Sequence, residues 1–336
     1  MVLSVDVLGG DNAPDSVIQG CVLACADAGC EGVTFRLHGP EDDVKVLCQR
    51  YGLAPDRYEI VHAPDVITNH DAPATAIRQK TQSSLVSAIS DLKQKRAEAF
   101  LSAGSTGAVL AGGIFKVGRL PGVARPALAP LMPTRAGNPT LLLDIGANVD
   151  SKPAYLQQFG VMGSVFMKHV MHVPEPRVGL LNIGAEAEKG NELTAAAYPL
   201  LQEAAIRFIG NVEARDALGG DYEVVVTDGF AGNILLKGTE GAAEMIFGML
   251  KEELMATPTS KLGAFIMKKA FRRLKKKLDY TEYGGALLLG IDGVIVKAHG
   301  SSNAKAIASA IRQAANAVSS GVIERLTEAF SGMTAS

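Results

Sequence analysis

The sequence predicts an α/β protein of three layers, α/β/α, built on a mostly parallel mixed sheet. Three observations predict it. Short apolar runs alternate with helix-length stretches along most of the chain, the pattern of βαβ units with a helix-covered sheet. The 36 glycines among 336 residues exceed an average share and suit many βα turns. Six short boxes of glycine and polar residues are strung along the chain, most of them after an apolar run, where open α/β sheets place their ligands.

Residues 2–7 read as a strand and 14–28 as a helix, with Pro14 in its first turn and Gly29 at its end. Residues 34–38 make a strand, and Glu41–Tyr51 a helix stopped by Gly52. A strand at 59–62, a helix at 83–95, the strand Ala99–Ser102 and a helix at 108–117 follow. Ala127–Met132 and residues 140–144 flank the turn Gly137-Asn138-Pro139, an antiparallel pair that makes the sheet mixed. Next come a long helix at 152–172, a strand at 178–182, a helix at 192–205, a short strand at 207–209 and a buried strand at 224–227. Residues 232–255 form a helix and 261–278 a basic one. Two short strands at 287–289 and 294–296 precede closing helices at 303–318 and 322–330. No fixed-period repeat or flexible linker divides the chain, which reads as a single domain over residues 1–336.

Formal net charge is −2, so nucleic acid is not an expected partner. No secretory signal opens the chain, and no run reaches the roughly 18–20 apolar residues that span a bilayer. A cytoplasmic location is the expectation. Cys21, Cys25, Cys30 and Cys48 read as reduced, mostly buried thiols, since no second ligand pair accompanies them.

The boxes carry the chemistry. Asp6-Val-Leu-Gly-Gly-Asp11 ends the first strand; Gly9 and Gly10 admit an anion, and Asp6 or Asp11 orients a loop or hydroxyl. A tight turn with Asp11 or Asn12 as helix cap is the plainer alternative. Ser102-Ala-Gly-Ser-Thr-Gly107 offers Ser105, Thr106 and Gly107 as an anion cradle at a helix start, or as simple caps. It matches neither the P-loop nor the dinucleotide fingerprint. Asp144-Ile-Gly-Ala-Asn148 sets an acid beside an amide, and no ligand set makes a metal compelling. Asn182-Ile-Gly-Ala-Glu186 runs on to Lys189-Gly-Asn191, where Lys189 is an anion contact or a solvated loop residue. Asp228-Gly-Phe-Ala-Gly-Asn233, with Gly232 inside it, offers Asn233 to an oxyanion or phosphate, and Lys237 follows one helical turn later. Ala298-His-Gly-Ser-Ser-Asn303 offers His299 and Ser301, with His299 as acid–base group, anion donor or structural residue.

The basic segment, at about 258–280, places Ile266, Met267, Ala270, Phe271, Leu274 and Leu278 on one arc. Lys261, Lys268, Lys269, Arg272, Arg273, Lys275 and Lys276 fall on the opposite arc. This is the profile of a helix docking on anionic lipid or on an acidic protein.

These strings keep their order over nearly the whole chain, and together they resemble the PlsX family of phosphate acyltransferases. The matching stretches include Val5-Asp6 through Pro14, Ser102 through Ala108, Arg125-Pro-Ala-Leu-Ala129, Leu143 through Asn148, Asn182 through Asn191, Thr227 through Asn233 and His299 through Ser302. Leu8 stands where the family usually has Met, and Ser105 where it usually has Asn. The resemblance implies reversible conversion of acyl–acyl carrier protein and inorganic phosphate to acyl phosphate and free carrier protein. The product then passes to a membrane glycerol-phosphate acyltransferase. The resemblance further implies a fold like those of isocitrate/isopropylmalate dehydrogenases and phosphotransacetylases, usually as a homodimer, with no cofactor. Phosphate is then expected at Ser105–Gly107, Lys189 and His299, and the thioester carbonyl near Asn233 and Asn148. A phosphotransacetylase using coenzyme A, a β-decarboxylating dehydrogenase and a non-enzymatic membrane scaffold are the rival readings.

Overall fold

A computed structural model describes residues 1–278 and 284–333, with side chains described for 1–274 and 284–332. The first unit alternates strictly: β1 (Val2–Asp6), α1 (Asp15–Cys25), β2 (Thr34–Gly39), α2 (Glu41–Tyr51) and β3 (Tyr58–His62). Then come α3 (Pro73–Gln79), α4 (Ser84–Lys93), β4 (Ala99–Ser102) and α5 (Thr106–Gly112), which continues as one π turn over Gly113–Val117. The middle holds β5 (Ala127–Met132), β6 (Thr140–Leu143), α6 (Pro153–His169), β7 (Arg177–Asn182), α7 (Glu192–Glu203), β8 (Arg207–Glu213) and β9 (Val224–Val226). The chain ends with α8 (Gly229–Ala256), α9 (Pro258–Leu278), β10 (Ala286–Leu289), β11 (Val294–Lys297), α10 (Ala304–Ser319) and α11 (Val322–Met333).

All strands join one 11-stranded sheet in the order β3-β2-β1-β4-β11-β10-β5-β6-β9-β7-β8. Strands β3, β2, β1, β4 and β11 are mutually parallel. So are β6, β9, β7 and β8. Between the two sets lie three antiparallel steps, β11 to β10, β10 to β5 and β5 to β6. The two parallel sets therefore run in opposite directions.

The period-2 alternation of strands divides the core between the two faces. Ala99 and Leu101 of β4 pack in a cluster with Ile18, Phe159, Ile311 and Phe330, under α1, α6, α10 and α11. Phe100 between them packs with Ile77, Ile89 and Val109, under α3, α4 and α5. The start of α8 covers β6 and β9 through Leu236, Leu142 and Val225. The three-layer expectation holds.

Several boundaries differ from expectation. Helix α1 stops at Cys25, because the Asp27 side chain accepts the Gly29 N–H and starts a separate 3-10 turn at Ala28–Cys30. Helix α8 begins at Gly229 rather than 232, since Asp228 caps it by accepting the Phe230 and Ala231 N–H groups, both at 2.9 Å. Helix α3 has no counterpart in the sequence reading.

Only Gly229, Gly232 and Leu236 of α8 are buried. Met245, Ile246 and Met249 beyond them are each about three-fifths exposed. Helix α9 packs back along α8. Lys268, Lys269, Arg272 and Arg273 are exposed, but so are Phe265, Ile266, Met267 and Leu274. Among the described side chains of the expected apolar arc, only Ala270 and Phe271 are half-buried. Lys275, Lys276 and Leu278 lie outside the described side chains. No described helix is long and apolar enough to cross a membrane. The four cysteines are unbridged, and three of them are buried.

Candidate active site

Three loops meet where β1, β4 and β11 end. Asp6 closes β1 as a buried carboxylate that accepts the Ser84 hydroxyl at 2.5 Å and the Ser102 hydroxyl at 2.6 Å. Burial pushes its pKa up, against the pull of both serines. Ser102 Oγ in turn accepts the Gly104 N–H at 3.0 Å. A Cβ on Gly9 would fall 2.5 Å from Asp6 Oδ2 and 2.7 Å from Gly104 N, so only glycine allows the first two loops to touch. The third loop is tied in by Asp11, whose N–H donates to the Gly300 carbonyl at 2.8 Å. Asn12 Nδ2 reaches the Ser301 carbonyl at 3.1 Å. Ser105 occupies the N-cap position of α5, yet its side chain makes no cap hydrogen bond. Gly107 packs on α3, where a Cβ would meet Pro73 Cγ at 2.7 Å.

Two cavities adjoin at this junction. One, of about 440 Å³, is lined by Gly10, Asp11, Asn69, His70, Ser105 and Thr106 among others. The second, of about 460 Å³, takes in Met132, Asn233, Lys237, Glu240 and His299. Thr106, Lys297 and Gly300 line both.

Lys297 is the last residue of β11 and is buried. Its ammonium donates to the Ala103 carbonyl at 3.3 Å and to the Ala298 carbonyl. Burial lowers its pKa to about 8, while the charges of Asp6 and Asp11 act in the opposite sense. His299 Nδ1 accepts the Ser301 N–H at 3.2 Å and lies 2.8 Å from the Ser301 hydroxyl. Its Nε2 stands 3.4 Å from Lys237 Nζ. Burial first, and the Lys237 charge second, lower the His299 pKa and favour neutral imidazole. Lys237 also pairs with Glu240 at 2.7 Å.

The other boxes lie on the oppositely running strands, so the six do not meet at one rim of the sheet. Asp144, expected at the substrate, is fully buried and spent on its own loop and on β5. Its Oδ1 accepts the N–H groups of Leu128, Gly146 and Ala147 at 3.0, 3.3 and 3.1 Å. Its Oδ2 accepts Asn148 N–H at 2.7 Å and Asn148 Nδ2 at 3.0 Å. Asn148 Nδ2 also donates to the Pro126 carbonyl at 2.8 Å, so this amide too is a loop-building group. Gly232 lies so close beneath them that a Cβ would overlap the Asp144 carbonyl. Asn191 caps α7 in a reciprocal pair with Thr194.

Asp228 and Asn191 line a third cavity, an open cleft of about 980 Å³ along the apolar face of α8, past Phe230, Ile234 and Phe247. Lys189 stands in the loop after β7, where its stem crowds Gly184, and lines none of these three cavities. From the second set of boxes, Ile145 and Gly146 of the Asp144 loop reach the second cavity, and α8 returns toward the first set. Its rise of about 1.5 Å per residue carries Asn233 and Lys237 back along the sheet to His299.

The structure thus gathers Gly10, Asp11, Ser105, Thr106, Asn233 and His299 around two adjoining cavities, and leaves Lys189, Asn191 and Asp228 elsewhere. The sequence reading missed Lys297 and the stretch at Asn69 and His70. The signal for Lys297 was present: a lone lysine closes an apolar strand just before the His299 box. Among the described residues, no three His, Cys, Asp or Glu side chains gather to hold a metal ion.

Residues 1–325 match the family described as "Fatty acid synthesis protein". Proteins named "Phosphate acyltransferase" are 48% identical to the chain in Exiguobacterium sibiricum, over 98% of both chains. The Lysinibacillus sphaericus protein of that name is 49% identical over 98% of both, and the Clostridium acetobutylicum one 46% over 97% of this chain and 98% of its own. The chain belongs to the phosphate acyltransferase family. It is therefore an enzyme of the acyl-transferring kind, and the family resemblance drawn from the boxes holds. The fold is shared with a phosphotransacetylase from Streptococcus pyogenes, at a TM-score of 0.61 and 15% identity over 95% of this chain and 94% of that one. A branched-chain phosphotransacylase from Enterococcus faecalis V583 matches at a TM-score of 0.58 and 14% identity, over 95% and 99%.

Proposed function

We propose that the enzyme reversibly converts acyl–acyl carrier protein and inorganic phosphate to acyl phosphate and free carrier protein, in bacterial phospholipid synthesis. The observation that carries this reading is the pair of adjoining cavities with cationic groups beside them. One is polar, with the α5 start at Ser105 and Thr106 in its wall. The other combines Met132, Leu131 and Leu128 with Asn233 and His299. A phosphate fits the first and a thioester the second.

The chemistry asks little of a general base, because phosphate is already anionic and a thiolate leaves readily. It asks for positioning and for donors aimed at the tetrahedral oxyanion. Asn233 is the amide donor on the thioester side. The α5 N-terminus, with its outward dipole and uncapped Ser105, favours the anion. Lys189 remains a candidate only for a later contact, such as the carrier protein's acidic surface.

The exposed cations Lys268, Lys269, Arg272 and Arg273, mixed with exposed Phe265 and Ile266, suit an anionic membrane surface or carrier protein. We read the enzyme as cytoplasmic and peripherally bound at the membrane, where a glycerol-phosphate acyltransferase takes the product. Exposed Ile246 and Met249 on α8 offer apolar surface for the family's usual homodimer.

The test is phosphate-dependent loss of the acyl group from carrier protein, run beside acyl-coenzyme A. Faster discharge of carrier protein is the expected result. Discharge of coenzyme A alone would reassign the enzyme to phosphotransacetylase chemistry, and no phosphate dependence with either donor would end the proposal.

A further inference from the structure

Lys297 has a place that the loop chemistry above does not explain. It closes a strand whose other members, Val294, Ile295 and Val296, are core residues, and it is itself 7% exposed. An ammonium in such a place is disfavoured by desolvation unless something anionic repays it. The protein's own acids repay it only in part. Both oxygens of Asp6 are taken by Ser84 and Ser102. The ammonium itself donates to two neutral carbonyls, those of Ala103 and Ala298. Its third N–H has no protein partner among the described residues.

The side chain also lines both cavities, together with Thr106 and Gly300. The wall between the polar cavity and the thioester cavity is thus formed in part by a buried cation.

We propose that Lys297 holds the phosphate nucleophile at the junction of the two cavities and aims it at the thioester carbonyl. The proposal rests on the transfer reaction above and adds the residue that brings its two substrates together. Phosphate lies on the side of Ser105 and Thr106, the acyl thioester on the side of Asn233 and His299. A phosphate oxygen attacks the carbonyl carbon and forms the new C–O bond. Collapse of the tetrahedral species breaks the C–S bond. The departing thiolate takes the proton that hydrogen phosphate brought, leaving acyl phosphate and a free thiol. The ammonium gains no proton and loses none; it offsets one of the dianion's two charges and holds it against the carbonyl.

Asp6 and Asp11 from the β1 end, His70 from the loop before α3, Lys237 and Glu240 from α8, and His299 are the titratable groups around the two cavities. Because burial lowers Lys297 to about 8, its charge fades as pH rises through that value. Free phosphate becomes more anionic over the same range, so ordinary electrostatics would strengthen its binding.

The experiment uses the full chain with Lys297→Met and Lys297→Arg, assayed with acyl–carrier protein while phosphate is varied. Loss of a charged hydrogen bond predicts a rise of about ten- to a hundredfold in the phosphate KM of Lys297→Met, with the thioester KM within about twofold of wild type. Lys297→Arg recovers part of the loss. A phosphate KM unchanged in Lys297→Met, in a preparation whose wild type is active, overturns the assignment alone. A wild type without phosphate-dependent transfer overturns the reaction and this assignment with it. Should Lys297→Met fail to fold, the wild type decides: phosphate should raise Tm more at pH 7 than at pH 9.5, against chloride at equal ionic strength. An equal or larger shift at pH 9.5 overturns the proposal.

Discussion

Replacing Asp144 tests how the oppositely running half of the sheet supports the site. Its carboxylate accepts five hydrogen bonds, four from backbone N–H groups and one from the Asn148 amide. In Asp144→Ala the half-buried N–H groups of Gly146 and Ala147 regain water, so their loss costs little. The N–H groups of Leu128 and Asn148 are buried and stay unpaired. At about 1–3 kcal/mol for each buried orphan, the variant should lose about 2–6 kcal/mol of stability. Asp144→Asn keeps one carbonyl oxygen. Turned toward Leu128, it satisfies that donor and leaves Asn148 facing an NH₂ group, for about 1–3 kcal/mol. Urea unfolding followed by far-UV circular dichroism, with midpoint and slope fitted for each protein, should rank wild type above Asn above Ala. An Ala variant within about 0.5 kcal/mol of wild type, which is the scatter of ordinary surface changes, would refute this reasoning.

Three further outcomes follow from the same geometry. Asn233→Ala should lower kcat about a hundredfold, as removal of an oxyanion donor does, with a Tm near that of wild type; normal turnover would remove Asn233 from the thioester side. Gly232→Ala should fold poorly, because its Cβ would meet the Asp144 carbonyl, whereas Gly241→Ala, with open space around it, should gain about 0.5–1 kcal/mol in urea melts. Equal stability of the two would contradict the packing described at the start of α8. Neutralising Lys268, Lys269, Arg272 and Arg273 together should abolish low-salt co-sedimentation with anionic vesicles, at about 1 kcal/mol for each charge; unchanged binding to both vesicles and carrier protein would clear α9 of a docking role.

Much of the fold was legible because its signals are local. Helix α2 was read to the residue, since acids fill its first turn and Gly52 adopts a left-handed φ of 74° at its end. Strands β4 and β5 were bounded correctly by their flanking glycine and proline. Helix α3 escaped because its seven residues are too few to show an apolar period, although Pro73 marks its start. The strand pair about Gly137 was expected, but its consequence was not. Antiparallel steps at β10 and β6 reverse half of the sheet, and that is set by non-local pairing rather than by any one segment.

The reversal explains the mixed legibility of the site. Each box looks like a strand-end anion loop, and residue type alone cannot say which end of the sheet it occupies. Asp11, Ser105, Thr106 and His299 were found together because their strands are parallel neighbours. Asn233 joined them only because α8 runs back across the sheet. Asp144 and Asn148 carry polar groups suited to a ligand, yet backbone N–H groups occupy the Asp144 carboxylate, and the Asn148 amide is spent on that carboxylate and the Pro126 carbonyl. Lys297 went unnoticed because a single lysine ending a run of valines reads as a strand reaching solvent, whereas β11 lies inside the sheet between β4 and β10.

The most direct measurement is a crystal structure of the enzyme soaked in phosphate at a concentration near its KM. An anion is expected within hydrogen-bonding reach of Lys297 Nζ and the α5 N-terminus, facing the Asn233 side chain across the shared wall. Density for phosphate at the β7 end, over Lys189 and Gly190, with the Lys297 junction holding only water, would contradict that expectation.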